Sequence, residues 1–209
     1  MLGIHDFPLF LASGVLLNLT PGPDTAYILG RSIAQGRAAG IASAFGITIG
    51  SLFHTCAAAL GLSAILATSA VAFGAIKLIG GAYLIFLGIT MFLGRQSDLG
   101  MPAQSRRSTT AAAFRQGILT NVVNPKVALF FLAFLPQFIE PSSTSKVFAF
   151  IALGLTFVTT GTIWCLILAW FAAGFSARLR SNQTIAQWLN RAVGSLFVFL
   201  GARLATRFD

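Results

Sequence analysis

Thr20-Pro21-Gly22-Pro23-Asp24 sets two prolines, a glycine and an acid inside an otherwise apolar run from Phe7 to Ile33. In water such a pentapeptide is an ordinary turn. Its flanks, Phe7 to Leu19 and Thr25 to Ile33, are each too short to cross a bilayer, which takes about 20 residues, although joined they are long enough. The reading is one transmembrane helix interrupted near its middle. A break at that depth leaves backbone groups that lipid cannot satisfy, so it has to be buried in protein or line a wet cavity. Asp24 points the same way, because an ionisable side chain inside a span is costly and marks a pathway or site.

The 209-residue chain is 56% hydrophobic and 9% charged, with a mean hydropathy of +0.83. Soluble domains carry roughly 25% charged residues, so this is an integral membrane protein built from helices. The net charge of +9 does not indicate a nucleic-acid partner. The basic residues lie between apolar runs instead of clustering on a soluble face, which is a topology signal. Cys56 and Cys165 sit within apolar segments at no metal-ligand spacing, and neither a metal nor another cofactor is expected. Met1 to Asp6 carries no Lys or Arg and no cleavage site follows, so the first segment is expected to stay in the protein.

Apolar runs occur at about 7–33 (broken), 40–67, 71–94, 112–139 (interrupted), 146–174 and 186–204. These predict six transmembrane helices in one transporter domain, 1–209. It divides into a first repeat at about 1–95, a polar cytoplasmic linker at about 96–111 and a second repeat at about 112–209. Gly46, Gly50, Gly61, Gly80, Gly81, Gly88, Gly194 and Gly201 fall within the spans, as close helix packing in membranes favours. A bundle this rich in glycine can pair with a second copy of itself. Arg31, Arg37, Arg95, Arg106, Arg107, Arg115, Arg178, Arg180 and Arg191 occupy alternate connections. By the positive-inside rule that side is cytoplasmic and both termini lie outside, against which Arg203 and Arg207 count.

The second interruption is Asn124-Pro125 in the fourth span. Gly81-Ala82-Tyr83-Leu84-Ile85-Phe86-Leu87-Gly88 in the third span likewise resembles Gly194-Ser195-Leu196-Phe197-Val198-Phe199-Leu200-Gly201 in the sixth. A three-span unit used twice must be inverted the second time, because an odd number of crossings leaves the chain on the other side. Inverted repeats with interrupted helices at matching positions point to a transporter's midplane site. Thr20 and Asn124 are both good N-cap residues, and a proline suits the next position because its missing N–H would have gone unpaired there. Each break is therefore expected to restart a half-helix, from Pro21 and from Pro125. The two positively polarised ends would meet near the membrane centre, where such ends bind carboxylates.

Only one acid, Asp24, and at most two bases, Lys77 and Lys126, remain inside the membrane once the peripheral charges are set aside. Lys77 is close enough to a helix end to snorkel. A plain structural role for Asp24 and Lys126 is a buried ion pair, a poor stabiliser because desolvation offsets its attraction. The candidate pathway residues for substrate and proton are Thr20, Pro21, Gly22, Pro23, Asp24, Tyr27, His54, Asn121, Asn124, Pro125 and Lys126. For Tyr27, His54 and Asn121 the competing reading is a satisfied hydrogen bond between helices. His54 has a side chain that can relay protons near neutral pH.

Several motifs together resemble the LysE/RhtB family of bacterial amino-acid exporters, of the homoserine/threonine exporter type. They are Leu19-Thr20-Pro21-Gly22-Pro23-Asp24, Gly46 and Gly50 with His54, Gly81 with Tyr83-Leu84 and Gly88, Asn124-Pro125-Lys126 with Leu129-Phe130-Phe131, and Pro136-Gln137-Phe138. The likeness covers nearly the whole chain. It implies a six-span protein of the bacterial inner membrane that exports amino acids or their derivatives, driven by the proton motive force, with no enzyme activity. The alternative is an ion channel or metal-ion transporter of related inverted architecture. Metal selectivity would call for clustered carboxylates, His or Cys, which a single intramembrane acid does not supply.

Overall fold

A computed structural model describes residues 2–68, 109–140 and 142–181, with scattered helical positions between 71 and 90 and between 188 and 202. Most of the expected third and sixth spans, the linker and Lys77 lie outside the described residues. Those that are described form helices and no strand. In chain order they are α1 (Phe7–Leu19), α2 (Pro23–Gln35), α3 (Arg37–Ala57), α4 (Ser63–Thr68), α5 (Thr110–Val122), α6 (Pro125–Leu129) and α7 (Lys146–Ser181). A π-helical turn, Ala58–Leu62, joins α3 to α4 without a break. Another, Phe130–Phe134, carries α6 into a 3-10 turn, Leu135–Phe138.

Among the described residues, two continuous helices are long and apolar enough to cross a membrane, Arg37–Ile65 with 29 residues and Lys146–Ala172 with 27. Thr110–Val122 and Pro125–Phe138 pass the same test together as a span bent by 46°. Thus the expected interruption at Asn124-Pro125 is present. The first break is present too, with α1 and α2 packed in succession along one face of α7. Gly14 of α1 lies against Phe157, and Asn18 donates to the Thr160 hydroxyl at 3.2 Å. Further along α7, Tyr27, Ile28 and Leu29 of α2 share a core with Cys165, Leu168, Ala169 and Ala172. The two short helices together follow the length of a helix that can span a bilayer by itself.

Helix α3 runs in the same direction as α5 and touches it closely. A Cβ on Gly46 would stand 2.1 Å from the Phe114 carbonyl oxygen, and one on Gly117 would stand 2.6 Å from that of Ser43. Glycine is required there because the backbones meet where a methyl group would sit. Gly88, in the expected third span, approaches the Gly194 carbonyl of the expected sixth in the same way, 2.6 Å from an added Cβ. Between α2 and α3 the chain reverses over one residue, Gly36, whose φ of +88° disfavours any side chain.

The apolar interior divides at the breaks. One cluster gathers Phe10 of α1, Phe130, Phe131, Phe134 and Phe138 of the second broken span, and Phe150 and Phe157 of α7. Its rings pack closely, with centroids 4.5 Å apart for Phe130 and Phe157 and 5.3 Å for Phe10 and Phe138. At this end the His5 amide donates to the Phe138 carbonyl at 3.0 Å, tying the start of α1 to the end of the second broken span. The other cluster, around Ile28, Ala44 and Leu168, occupies the opposite end.

Candidate functional site

Each break is built by local backbone chemistry, but the first departs from its expected form. Thr20 does not cap α2. Its backbone is extended, as a residue before proline prefers, and its hydroxyl donates back to the Leu16 carbonyl at 2.8 Å, closing α1. The helix restarts two residues later, with extended Gly22 as the N-cap and Pro23, not Pro21, in the first turn. At the second break the expectation holds. The Asn124 side chain accepts from the Lys126 amide at 3.0 Å, and Pro125 opens α6. With the restart at Pro23, Asp24 and Lys126 become equivalent, each the second residue of its half-helix.

Those two side chains do not form an ion pair. Each reaches the end of the half-helix beside it. Lys126 Nζ donates to the carbonyls of Thr20 at 3.0 Å and Leu17 at 3.3 Å, at the negatively polarised end of α1. It lies over Gly22, where a Cβ would stand 3.1 Å from Nζ. Asp24, in the positively polarised first turn of α2, accepts from Asn121 Nδ2 in the last turn of α5 at 2.8 Å. An acid at a helix start and a base at a helix end are the favourable placements. The tips therefore meet as four half-helix ends cross-linked by two side chains.

Asn121 is itself held by α3. Ser51 donates to its Oδ1 at 3.2 Å, which orients the amide so that Nδ2 faces the carboxylate. His54 Nε2 donates to the Asn121 carbonyl at 3.1 Å and stacks on Phe131, ring centroids 5.8 Å apart. The Asn124 side chain also faces Asp24, although neither Asp24 Oδ1 nor Asn124 Nδ2 makes a hydrogen bond of full geometry among the described residues. An unpaired buried acceptor and donor carry a desolvation cost, and such groups ask for a ligand or water.

A cavity of about 40 Å³ lies at this junction, bounded by Asp24, Asn121, Lys126, Asn18, Thr48 and Thr162 on its polar side. Leu17, Ile47, Val127, Phe157, Val158 and Trp164 form much of the rest. One water needs about 10–15 Å³ by this measure, so the space suits a few waters. The aromatic cluster lies on one side of it and the Ile28 cluster on the other.

Of the expected pathway residues, Asp24, Asn121 and Lys126 line the cavity. Thr20, Pro21, Gly22, Pro23, Asn124 and Pro125 build the breaks around it, and His54 stands behind Asn121. Tyr27 lies elsewhere. Its hydroxyl donates to the Ala113 carbonyl at 2.8 Å and accepts from Arg31 Nε at 3.2 Å, locking α2 to α5. Arg31 is correspondingly buried within α2 instead of standing in a connection, and also donates to Gln116. The sequence reading missed Asn18, Thr48, Ser51 and Thr162. Thr48, Ser51 and His54 recur every three residues along α3, a polar stripe on an apolar span that was there to be seen.

Comparison with known proteins gives a consistent picture. Residues 15–207 match the family described as LysE type translocator. An uncharacterised membrane protein of Pseudomonas aeruginosa is 31% identical over 98% of this chain and 97% of its own. One of Vibrio cholerae is 33% identical over 97% of this chain and 98% of its own. A leucine efflux protein of Salmonella choleraesuis is 26% identical over 98% and 96%. No solved structure matches the chain.

Proposed function

The chain belongs to the LysE type translocator family, and on that premise we propose that it exports amino acids or their derivatives across the bacterial inner membrane by alternating access. The carrying observation is the pair of half-helix starts bearing Asp24 and Lys126 at equivalent positions beside one cavity. The efflux named for the Salmonella relative supports the same reading. In this proposal six spans form two inverted three-helix repeats in one domain, both termini are outside, and helices one and four are the interrupted pair. The parallel runs of α1–α2 with α7 and of α3 with α5 are those that such a topology requires.

An amino acid presents an ammonium and a carboxylate a few ångströms apart. Asp24 Oδ1 offers an unused acceptor to the ammonium, while Asn124 Nδ2 and the third N–H of Lys126 offer donors to the carboxylate. The cavity has to widen to admit substrate, and the apolar clusters on either side of it are where the two gates of such a cycle would lie. Asp24 is the proposed proton carrier. Its protonation weakens the hold of Asn121 and of a bound ammonium, and a ligand or proton shifts a conformational equilibrium only by such differential contacts. The membrane potential supplies about 2.3 kcal/mol per charge per 100 mV.

The test is efflux of preloaded amino acids from cells expressing the chain, with and without a protonophore, beside Asp24→Asn. Protonophore-sensitive export that disappears in an inserted Asp24→Asn protein is expected. Full export by that variant would remove Asp24 from the carrier role, and absence of flux for every amino acid would overturn the export reading.

A further inference from the structure

We propose that residues 2–5 are a clasp on the gate at the end of the molecule that carries the N-terminus, the outside in the orientation proposed above. This rests on the export reading and adds the part that has to open. Ile4 and Ile139 form an isolated antiparallel bridge. The His5 amide donates to the Phe138 carbonyl at 3.0 Å and the Glu140 amide to the Gly3 carbonyl at 2.8 Å, while the Ser143 hydroxyl donates to the Leu2 carbonyl at 3.1 Å. The chain just before α1 is thereby fastened to the chain that follows the second broken span.

What lies beneath the bridge gives it a gating role. α1 and Pro125–Phe138 are two limbs that run from the cavity to this end. Between the bridge and the cavity they meet through rings, with Phe10 centred 6.1 Å from Phe134 and 5.3 Å from Phe138. Ile139 is buried in this cluster and Ile4 packs against it, so the bridge covers the rings as a lid. At the cavity the same limbs are tied by Lys126 on the Leu17 and Thr20 carbonyls. A solute released between the limbs has to part them at both ties.

The bridge is suited to opening and closing. Leu2 is exposed and Gly3, Ile4 and His5 are half-buried, so water can take over the hydrogen bonds when they part, which lipid cannot do for backbone at membrane depth. The second limb leaves α-helical geometry beneath it, through the π-helical turn Phe130–Phe134 and the 3-10 turn Leu135–Phe138. Such departures mark hinges. Closure in turn depends on glycine. Gly3 has a φ of +65°, and a Cβ there would stand 2.6 Å from that of Ser143.

Ile4 and Ile139 are a non-hydrogen-bonded pair, whose Cα atoms lie about 4.5 Å apart, within reach of a disulfide. The full-length chain carrying Cys56→Ser and Ile4→Cys/Ile139→Cys is reconstituted in liposomes and assayed by homoexchange, with one labelled amino acid outside and the same unlabelled one inside, for each of the twenty in turn. Oxidation is expected to cut the exchange of the reduced protein at least about tenfold, and a reductant to restore it. Full exchange by completely cross-linked protein would overturn the clasp, as would failure of the pair to cross-link.

Cys165 lines the cavity and reports on the gate without any transport. In a Cys56→Ser background, Gly3→Val is expected to speed its labelling by a membrane-impermeant thiol reagent in spheroplasts at least about fivefold, because valine disfavours the left-handed backbone that closes the bridge. Unchanged labelling would overturn the clasp. A rise confined to inverted vesicles would place it at the cytoplasmic end and overturn the outer assignment. Faster labelling of a chain that exchanges no amino acid would uphold the clasp and overturn the export reading instead.

Discussion

Asn121 Nδ2 donates to Asp24 Oδ2 at 2.8 Å, joining the last turn of α5 to the first turn of α2 across 97 residues of sequence. With Ser51 holding the other end of the same amide at 3.2 Å, one side chain positions the acid on the cavity wall. Replacing it by Asn121→Leu keeps the bulk and deletes both bonds. The expected loss is about 1–3 kcal/mol of stability, because a buried carboxylate loses its partner. Export is expected to fall at least about tenfold, since the acid is no longer aimed. Thermal unfolding in detergent and efflux measured on the same preparation separate the two effects. Normal efflux from a destabilised protein would make Asn121 structural only.

Lys126 ties the second half of the molecule to the first through the carbonyls of Leu17 and Thr20. Lys126→Met is expected to lose charge-assisted hydrogen bonds worth about 1.5–3 kcal/mol each, less what water entering the cavity restores. Protease resistance of α1 in the inserted protein reads the loosened helix end. A variant as stable and as active as the parent would show that Lys126 neither caps α1 nor meets substrate.

Close backbone approach makes a prediction that contrasts two glycines. Gly46→Ala puts a methyl group 2.1 Å from the Phe114 carbonyl oxygen, so α3 and α5 must separate, at a cost of about 1–3 kcal/mol. Nothing lies within 4 Å of a Cβ on Gly30, inside α2. Gly30→Ala is expected to be neutral or to stabilise by about 0.5–1 kcal/mol through reduced chain entropy. Parallel unfolding midpoints for the two variants decide it, and equal destabilisation would argue against the α3–α5 contact.

Tyr27 supplies a third contrast, because it sits one turn beyond the first break but its hydroxyl is spent on Ala113 and Arg31. Tyr27→Phe should cost about 0.5–1.5 kcal/mol of stability for each hydrogen bond lost. Its substrate preference should match the parent's, with export within about threefold. An altered preference in the exchange panel would place Tyr27 on the substrate path.

Much of this architecture is legible from short-range rules. Asn124-Pro125 reads as a cap followed by a first-turn proline, and the Asn124 side chain does bond the Lys126 amide. The first break is harder because it holds two prolines and two plausible restarts. Cap preference favours Thr20, but the Thr20 hydroxyl turns back to Leu16 and extended Gly22 takes the cap. Choosing between them requires knowing what packs over the turn. Lys126 Nζ stands above Gly22, 3.1 Å from where a Cβ would be, so any side chain there obliges the lysine to shift.

The sequence by itself determined that the chain is helical, that it belongs in a membrane and that two of its spans are broken. Those properties follow from apolar run length and from proline geometry, which act over a few residues. Only the tertiary structure decided that Asp24 and Lys126 decline to pair and instead hold opposite half-helices. It also turned Tyr27 away from the cavity and brought Asn18, Thr48 and Thr162 to it. A buried polar group must take whichever partner packing brings within about 3 Å, and that choice is made between helices far apart in sequence.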